Sequence, residues 1–254
     1  MSDPISSSPG SQRPRDAVAD RRILRRILLV TLPLGLIALC LLPNLGPVYR
    51  TFSVPATSME PTIPLGSLVL ASRTAYGYSR YTFDGWKMPI TGRFPDRAPG
   101  RGDIVVFRLP REPKTVYIKR IVGMPGEKIQ IRNGVLYIDG RAVPKRSVGE
   151  KPVVEDNKTA RLAAFEETLP NGVKHLVADT MPDGIFDNTP VYDVPPGHLF
   201  MLGDNRDNSS DSRDQSRHGV GFVSIDLVIG PVVHVFGAGG ARAPSSPPPL
   251  IEAP

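Results

Sequence analysis

The sequence predicts a mainly β protein: an antiparallel β domain behind one N-terminal apolar segment. Three observations carry this expectation. The 254 residues include 24 Gly and 28 Pro, about a fifth of the chain against a usual ~12%, and both residues interrupt helices. Short apolar, β-branched runs recur between Gly and Pro turns from residue 67 to residue 235. A single long uncharged run stands near the N-terminus.

The elements follow in chain order. Residues 1–22 are rich in Ser, Pro and Asp and are expected to be disordered. Within residues 1–26, Arg13, Arg15, Arg21, Arg22, Arg25 and Arg26 face only Asp3, Asp16 and Asp20, so half of the net charge of +6 precedes the apolar run. Residues 23–48 are expected to form a transmembrane anchor. The stretch from Ile27 to Val48 carries no charge and would span about 33 Å as a helix. Pro33, Pro43 and Pro47 weaken it, yet proline is tolerated in such segments. The positive-inside rule puts the arginines in the cytoplasm and the rest of the chain across the membrane. A cleaved signal peptide shares this layout but needs small residues just past the apolar run. Leu42-Pro43-Asn44-Leu45 supplies none, and bulky Leu39 argues against a lipoprotein site at Cys40.

Strands are expected at Ser67–Ser72, Asp103–Arg108, Val116–Val122, Lys128–Ile131, Leu136–Ile138, His198–Leu202 and Leu227–Val235. Asn133-Gly134 and Asp139-Gly140 have the chemistry of two-residue hairpin turns. The β domain is thus assigned to 49–140 and 197–236. Residues 141–196 are more polar, with a helix expected near Thr159–Thr168, and read as an inserted subdomain. Residues 237–254 form a Pro-rich tail expected to be disordered.

Composition excludes several functions. One cysteine allows no intrachain disulfide. Four scattered histidines and no His-Glu-x-x-His give no metal-ligand cluster, so neither metal nor cofactor is expected. Half of the basic surplus is a topology signal, so no nucleic-acid partner is invoked.

Three segments could carry chemistry. Ser58 lies in Pro55-Ala56-Thr57-Ser58-Met59-Glu60-Pro61-Thr62, ten residues beyond Val48. Alone, it reads as a turn serine. Lys119 lies in Tyr117-Ile118-Lys119-Arg120-Ile121-Val122-Gly123. In a strand it shares a face with Tyr117 and Ile121, while Arg120 shares one with Ile118 and Val122. Such a lysine either snorkels to an edge or stays buried and neutral as a base. Lowering its pKa to about 7 requires ~4.6 kcal/mol, within the reach of burial. A neutral amine can then take a serine proton. The third segment is Gly203-Asp204-Asn205-Arg206-Asp207-Asn208-Ser209-Ser210-Asp211-Ser212-Arg213. It reads as a solvated loop or a calcium loop. Its arginines favour internal guanidinium–carboxylate pairs instead.

In this order, behind an apolar anchor, these segments closely resemble type I signal peptidase, the membrane-bound serine–lysine protease family of bacteria. The resemblance runs from about Tyr49 to Val233, apart from much of 141–196. It is densest in Ser58–Thr62, Arg101–Phe107, Tyr117–Gly123 with Pro125-Gly126-Glu127, and Gly203–Arg213. It implies an antiparallel β catalytic domain on the outer face of the cytoplasmic membrane, with a small β-containing insertion at 141–196. Ser58 would be the nucleophile and Lys119 the general base. Ser209 would orient the lysine amine. Asp211 and Arg213 would brace the loop, with Asp204 and Arg206 in support. Met59 and Tyr117 would line the cleft. Partners would be secretory preproteins with small residues at −1 and −3, held beside membrane lipid. One departure stands out: Ala56 occupies a position where many members carry a serine that completes the oxyanion hole, leaving the Ser58 N–H and, conceivably, Thr57. Two alternatives remain at this level: a dedicated serine–lysine protease maturing one secreted or pilus substrate, and a catalytically weak, membrane-tethered β binding module.

Overall fold

The computed structural model describes residues 27–38, 48–82, 89–94, 97–155, 158–181 and 183–237. The expected disordered segment 1–22, parts of the expected anchor (23–26 and 39–47, with Cys40) and residues 238–254 of the tail lie outside them. The strands are β1 (Tyr49–Ser53), β2 (Leu68–Ser72), β3 (Tyr78–Ser79), β4 (Arg93–Phe94), β5 (Ile104–Leu109), β6 (Glu112–Gly123), β7 (Lys128–Arg132), β8 (Val135–Ile138), β9 (Arg141–Ala142), β10 (Lys145–Glu155), β11 (Lys158–Thr168), β12 (Lys174–Ala178), β13 (Tyr192–Asp193), β14 (His198–Leu202), β15 (Val223–Ser224) and β16 (Val228–Phe236). A 3-10 turn at Ile225–Leu227 precedes β16.

The main sheet has seven strands in the order β1-β2-β16-β5-β6-β14-β15, and every neighbouring pair is antiparallel. Strand alternation divides its core. Val105, Phe107, Tyr117 and Ile121 pack with Leu199, Met201 and Val228. Val106, Val116 and Ile118 pack with Phe52, Val54, Met59, Ile63 and Val69. A third cluster joins Val122 and Phe200 to Ile129, Ile131, Leu136 and Leu169. All seven expected strands are present within a residue or two, except that β6 starts earlier, at Glu112.

Both expected hairpins form. Asn133 (φ 46°) and Gly134 (φ 70°) link β7 to β8, and Asp139 (φ 50°) and Gly140 (φ 74°) link β8 to β9. Two successive positive φ values match the twist of the flanking strands, and Asn, Asp and Gly tolerate them best.

The expected helix near Thr159–Thr168 is instead β11. It closes a hairpin with β10 and takes β12 on its other edge. The Ala, Leu, Arg and Glu residues there favour a helix by only tenths of a kcal/mol each. Hydrogen-bond ladders on both edges outweigh that preference. The resulting sheet, β10-β11-β12, lies wholly within 141–196, whereas the four-stranded sheet β13-β7-β8-β9 draws strands from both sides of residue 141.

Residues 27–38 are helical, a rise of about 18 Å. Their apolar side chains stand exposed, from 52% at Ile27 to 75% at Leu29. Among the described residues no helix is long and apolar enough to cross a membrane.

Phe107 is fully buried and meets Tyr117 edge-on, ring centroids 6.2 Å apart. Phe107→Ala is expected to destabilise the fold by about 3–5 kcal/mol, measured by denaturant titration of the full chain in detergent.

Candidate active site

Lys119 reaches the site from the middle of β6, where β5 and β14 flank it: Val105 pairs with Lys119, and Leu202 with neighbouring Arg120. Its side chain is 2% exposed, and Nζ lies 5.5 Å from the Tyr117 ring centroid. Ser58 arrives from the turn after β1. Met59 and Ile63 sink into the core beneath it, and Glu60 N–H to Thr57 O (3.0 Å) and Ile63 N–H to Met59 O (2.9 Å) close the turn. Residues 61 positions apart thus meet, with Lys119 Nζ 2.6 Å from Ser58 Oγ.

Burial pushes the Lys119 ammonium from 10.5 down to about 8. Asp211 and Asp204 oppose the shift and Arg213 assists it. Both carboxylates already have cationic partners, so neither forms an ion pair with Lys119.

The 203–213 loop leaves β14 and packs against Ser58. Asn205 N–H donates to the Ser58 carbonyl (3.1 Å). Asn205 Nδ2 reaches Thr57 O at 3.3 Å, and Asn208 Nδ2 donates to Thr57 Oγ1 at 2.8 Å. Gly203 is required by this approach: a Cβ there would stand 2.2 Å from Ser209 Oγ and 2.5 Å from the Ser58 carbonyl oxygen.

Ion pairs fix the loop, as its composition predicts. Arg213 Nε and Nη2 donate to Asp211, each at 2.9 Å. Asp211 also accepts the Gly203 N–H at 3.1 Å, and Arg213 Nη2 reaches Arg206 O at 2.8 Å. Asp204 and Arg206 find their partners elsewhere. Arg120 grips Asp204 at 2.8 and 2.6 Å, and Arg206 grips Glu167 of β11 at 3.1 and 2.7 Å. Burial would raise the Glu167 carboxyl, but Arg206 and His175 hold it down at about 2.

The residues expected in the site gather here, with two qualifications. Met59, expected to line the cleft, is packed in the core beneath Ser58. Ser209 is buried, but its hydroxyl makes no hydrogen bond and so does not touch the lysine amine. Sequence reasoning missed Arg120, Glu167, Asn205 and Asn208 as contributors. Arg120 carried a usable signal, because a charged side chain on a face shared with Ile118 and Val122 needs a buried partner.

The expectation of no metal-ligand cluster needs correction. Asp179, Asp187 and Asp207 bring carboxylate oxygens within 4.8 Å of one another. These residues are remote in sequence and meet only through the fold. Lys145 pairs with Asp179, and Asp207 accepts the Thr180 and Met181 N–H groups. Burial, then Asp179 and Asp207, push the Asp187 carboxyl up.

Burying Lys119 destabilises the fold, and the sign is definite. Below pH 8 the folded protein holds a cation it would release more readily than the unfolded chain does. That cost fades between pH 8 and 10.5. A fall from 10.5 to about 8 corresponds to about 3 kcal/mol. Lys119→Met is therefore expected to be more stable than wild type by up to about 3 kcal/mol at pH 7, with the gap closing between pH 8 and 10.5. Denaturant titrations at several pH values measure it.

The chain is similar to known proteins. A family model described as signal peptidase, peptidase S26, matches residues 24–236. Signal peptidase I of Rickettsia prowazekii (strain Madrid E) is 39% identical over 190 residues, covering 72% of this chain and 69% of that protein. Signal peptidase I of Rickettsia typhi is 38% identical over 191 residues, covering 72% and 70%. Among solved structures, a signal peptidase I from Enterococcus faecalis V583 is 27% identical with a TM-score of 0.31, covering 53% of this chain and 97% of that one. With a family match over most of its length and relatives this similar, the chain belongs to the signal peptidase family, peptidase S26.

Proposed function

We propose that this member of the family removes N-terminal signal peptides from exported preproteins, with Ser58 as nucleophile and Lys119 as general base. The 2.6 Å approach of Lys119 Nζ to Ser58 Oγ inside the protein carries this reading. Neutral Lys119 takes the hydroxyl proton as Ser58 Oγ attacks the scissile carbonyl. The Ser58 N–H is assigned to receive the oxyanion. The lysine passes its proton to the leaving amine, and the signal-peptide side remains as an acyl-enzyme. Lys119 then activates water, which releases the acyl group and regenerates Ser58. Protonated Nζ needs more acceptors than neutral Nζ does. The buried, unengaged Ser209 hydroxyl is assigned to supply one.

Tyr117 borders the amine, Met59 supports the Ser58 turn from the core below, and an extended substrate with small residues at −1 and −3 pairs with a strand beside the site. Thr57 is a candidate for the missing oxyanion donor: its Oγ1 accepts from Asn208 Nδ2 at 2.8 Å, which leaves the hydroxyl proton free to donate. Residues 23–48 hold the enzyme in the bacterial cytoplasmic membrane in a single pass. The arginine-rich N-terminus stays in the cytoplasm and the β domain lies on the outer side. The arginine cluster and the exposed apolar side chains from Ile27 to Ile37 support this topology.

Ser58→Ala and Lys119→Ala are each expected to lower preprotein cleavage at least about a thousandfold while leaving the circular dichroism spectrum unchanged. Full processing by Lys119→Ala at pH 7 would sink the serine–lysine mechanism. The wild-type rate should rise with pH through an apparent pKa near 8, as Lys119 becomes neutral. A pH-independent rate between 6 and 9 would contradict the assignment of the base. Gly203→Ala should cost about a hundredfold in kcat, since its methyl displaces the Ser58 carbonyl.

A further inference from the structure

The inserted sheet reaches into the active-site loop through one buried carboxylate. Glu167, in β11, is fully buried and receives Arg206 on both oxygens, at 3.1 and 2.7 Å. Arg206 Nε donates to the Gly203 carbonyl at 3.2 Å, and the Arg206 carbonyl accepts Arg213 Nη2 at 2.8 Å. The Arg206 guanidinium therefore holds the start of the loop that carries Ser209, and the Arg206 backbone carbonyl receives the guanidinium at the loop's other end. The neighbouring Asn205 N–H holds the Ser58 carbonyl at 3.1 Å, and a Cβ on Gly203 would collide with that same oxygen. The loop and the nucleophile are packed with no slack.

The backbone provides a separate attachment. Ala178 N–H donates to Asp204 O, and Arg206 N–H donates to Ala178 O, each at 2.8 Å. These bonds remain when the Glu167 side chain changes. The ion pair thus adds little to attachment and much to placement. Buried ion pairs are a poor source of stability, since well-packed apolar groups usually do as well or better.

We propose that Glu167 is a positioning residue for the peptidase reaction: through Arg206 it sets the place of the 203–213 loop, and through the loop the approach of Ser58 to Lys119. The proposal rests on the Ser58–Lys119 reading. It also gives the inserted sheet a part in catalysis apart from any contact with substrate.

Kinetics of the full chain on a preprotein in detergent test it, at a temperature well below each variant's melting point. Glu167→Gln and Arg206→Gln are each expected to lower kcat about ten- to a hundredfold, the usual effect of losing an orienting partner, with KM changed less than about twofold. The double variant should be no slower than the slower single variant, because both break the same link. Wild-type kcat in folded Glu167→Gln, a loss confined to KM, or losses that multiply in the double variant would each overturn the proposal. Should Glu167→Gln not fold, Glu167→Asp replaces it, keeping the charge and shortening the reach, with the same expected loss and the same overturning result. Failure of the serine–lysine reading would show in Ser58→Ala and Lys119→Ala, whereas failure of this proposal would show only at Glu167 and Arg206.

Discussion

Lys119 is an amine taken out of water without a carboxylate of its own, and the surrounding architecture keeps it so. Asp204 and Asp211 are close enough to favour its protonated form. Each is nevertheless matched to a guanidinium, Asp204 to Arg120 and Asp211 to Arg213. A third neutralised pair, Glu167 with Arg206, backs the same loop. Were either aspartate unmatched, its field would push the Lys119 amine back up toward its ordinary pKa. The loop therefore does two jobs with one set of charges. It braces the backbone beside Ser58, and it presents a nearly neutral environment to the amine.

Much of this was readable in the sequence, wherever the signal was local. Period-two alternation placed Lys119 with Tyr117 and Ile121, and Arg120 on the opposite face. The Asn-Gly and Asp-Gly pairs fixed two hairpins because their turn geometry depends on two adjacent residues. The mixture of arginines and aspartates in 203–213 indicated a self-braced loop. Ser58 and Lys119 could be linked only through resemblance to a family, since no pattern in a single chain announces a contact across 61 residues.

What stayed hidden depends on long-range pairing. Glu167 sits in a segment whose composition favours a helix, and a helix there would not have aimed its carboxylate at the loop. It becomes a strand because β10 and β12 claim both its edges, and only then does Arg206 acquire a partner. The gathering of Asp179, Asp187 and Asp207 has the same origin, as does the grip of Arg120 on Asp204. Each joins residues from separate elements, and the strand order that unites them is set by the sheets as a whole.

These features share one physical character. A buried lysine, three buried ion pairs and an unengaged buried hydroxyl all work against stability, which apolar packing would serve better. Much of the fold obeys the ordinary rules: Phe52, Phe107 and Phe200 fill buried cores, and turn residues match their dihedrals. Many of the departures gather where β6, the Ser58 turn and the 203–213 loop converge. A sequence retains such costs in one place when the residues are needed for chemistry. On the proposed function, that concentration is the working centre of the molecule. It also explains why the inserted sheet is bound to the loop by a charge: an apolar contact would be stronger, but a bidentate ion pair fixes distance and orientation together.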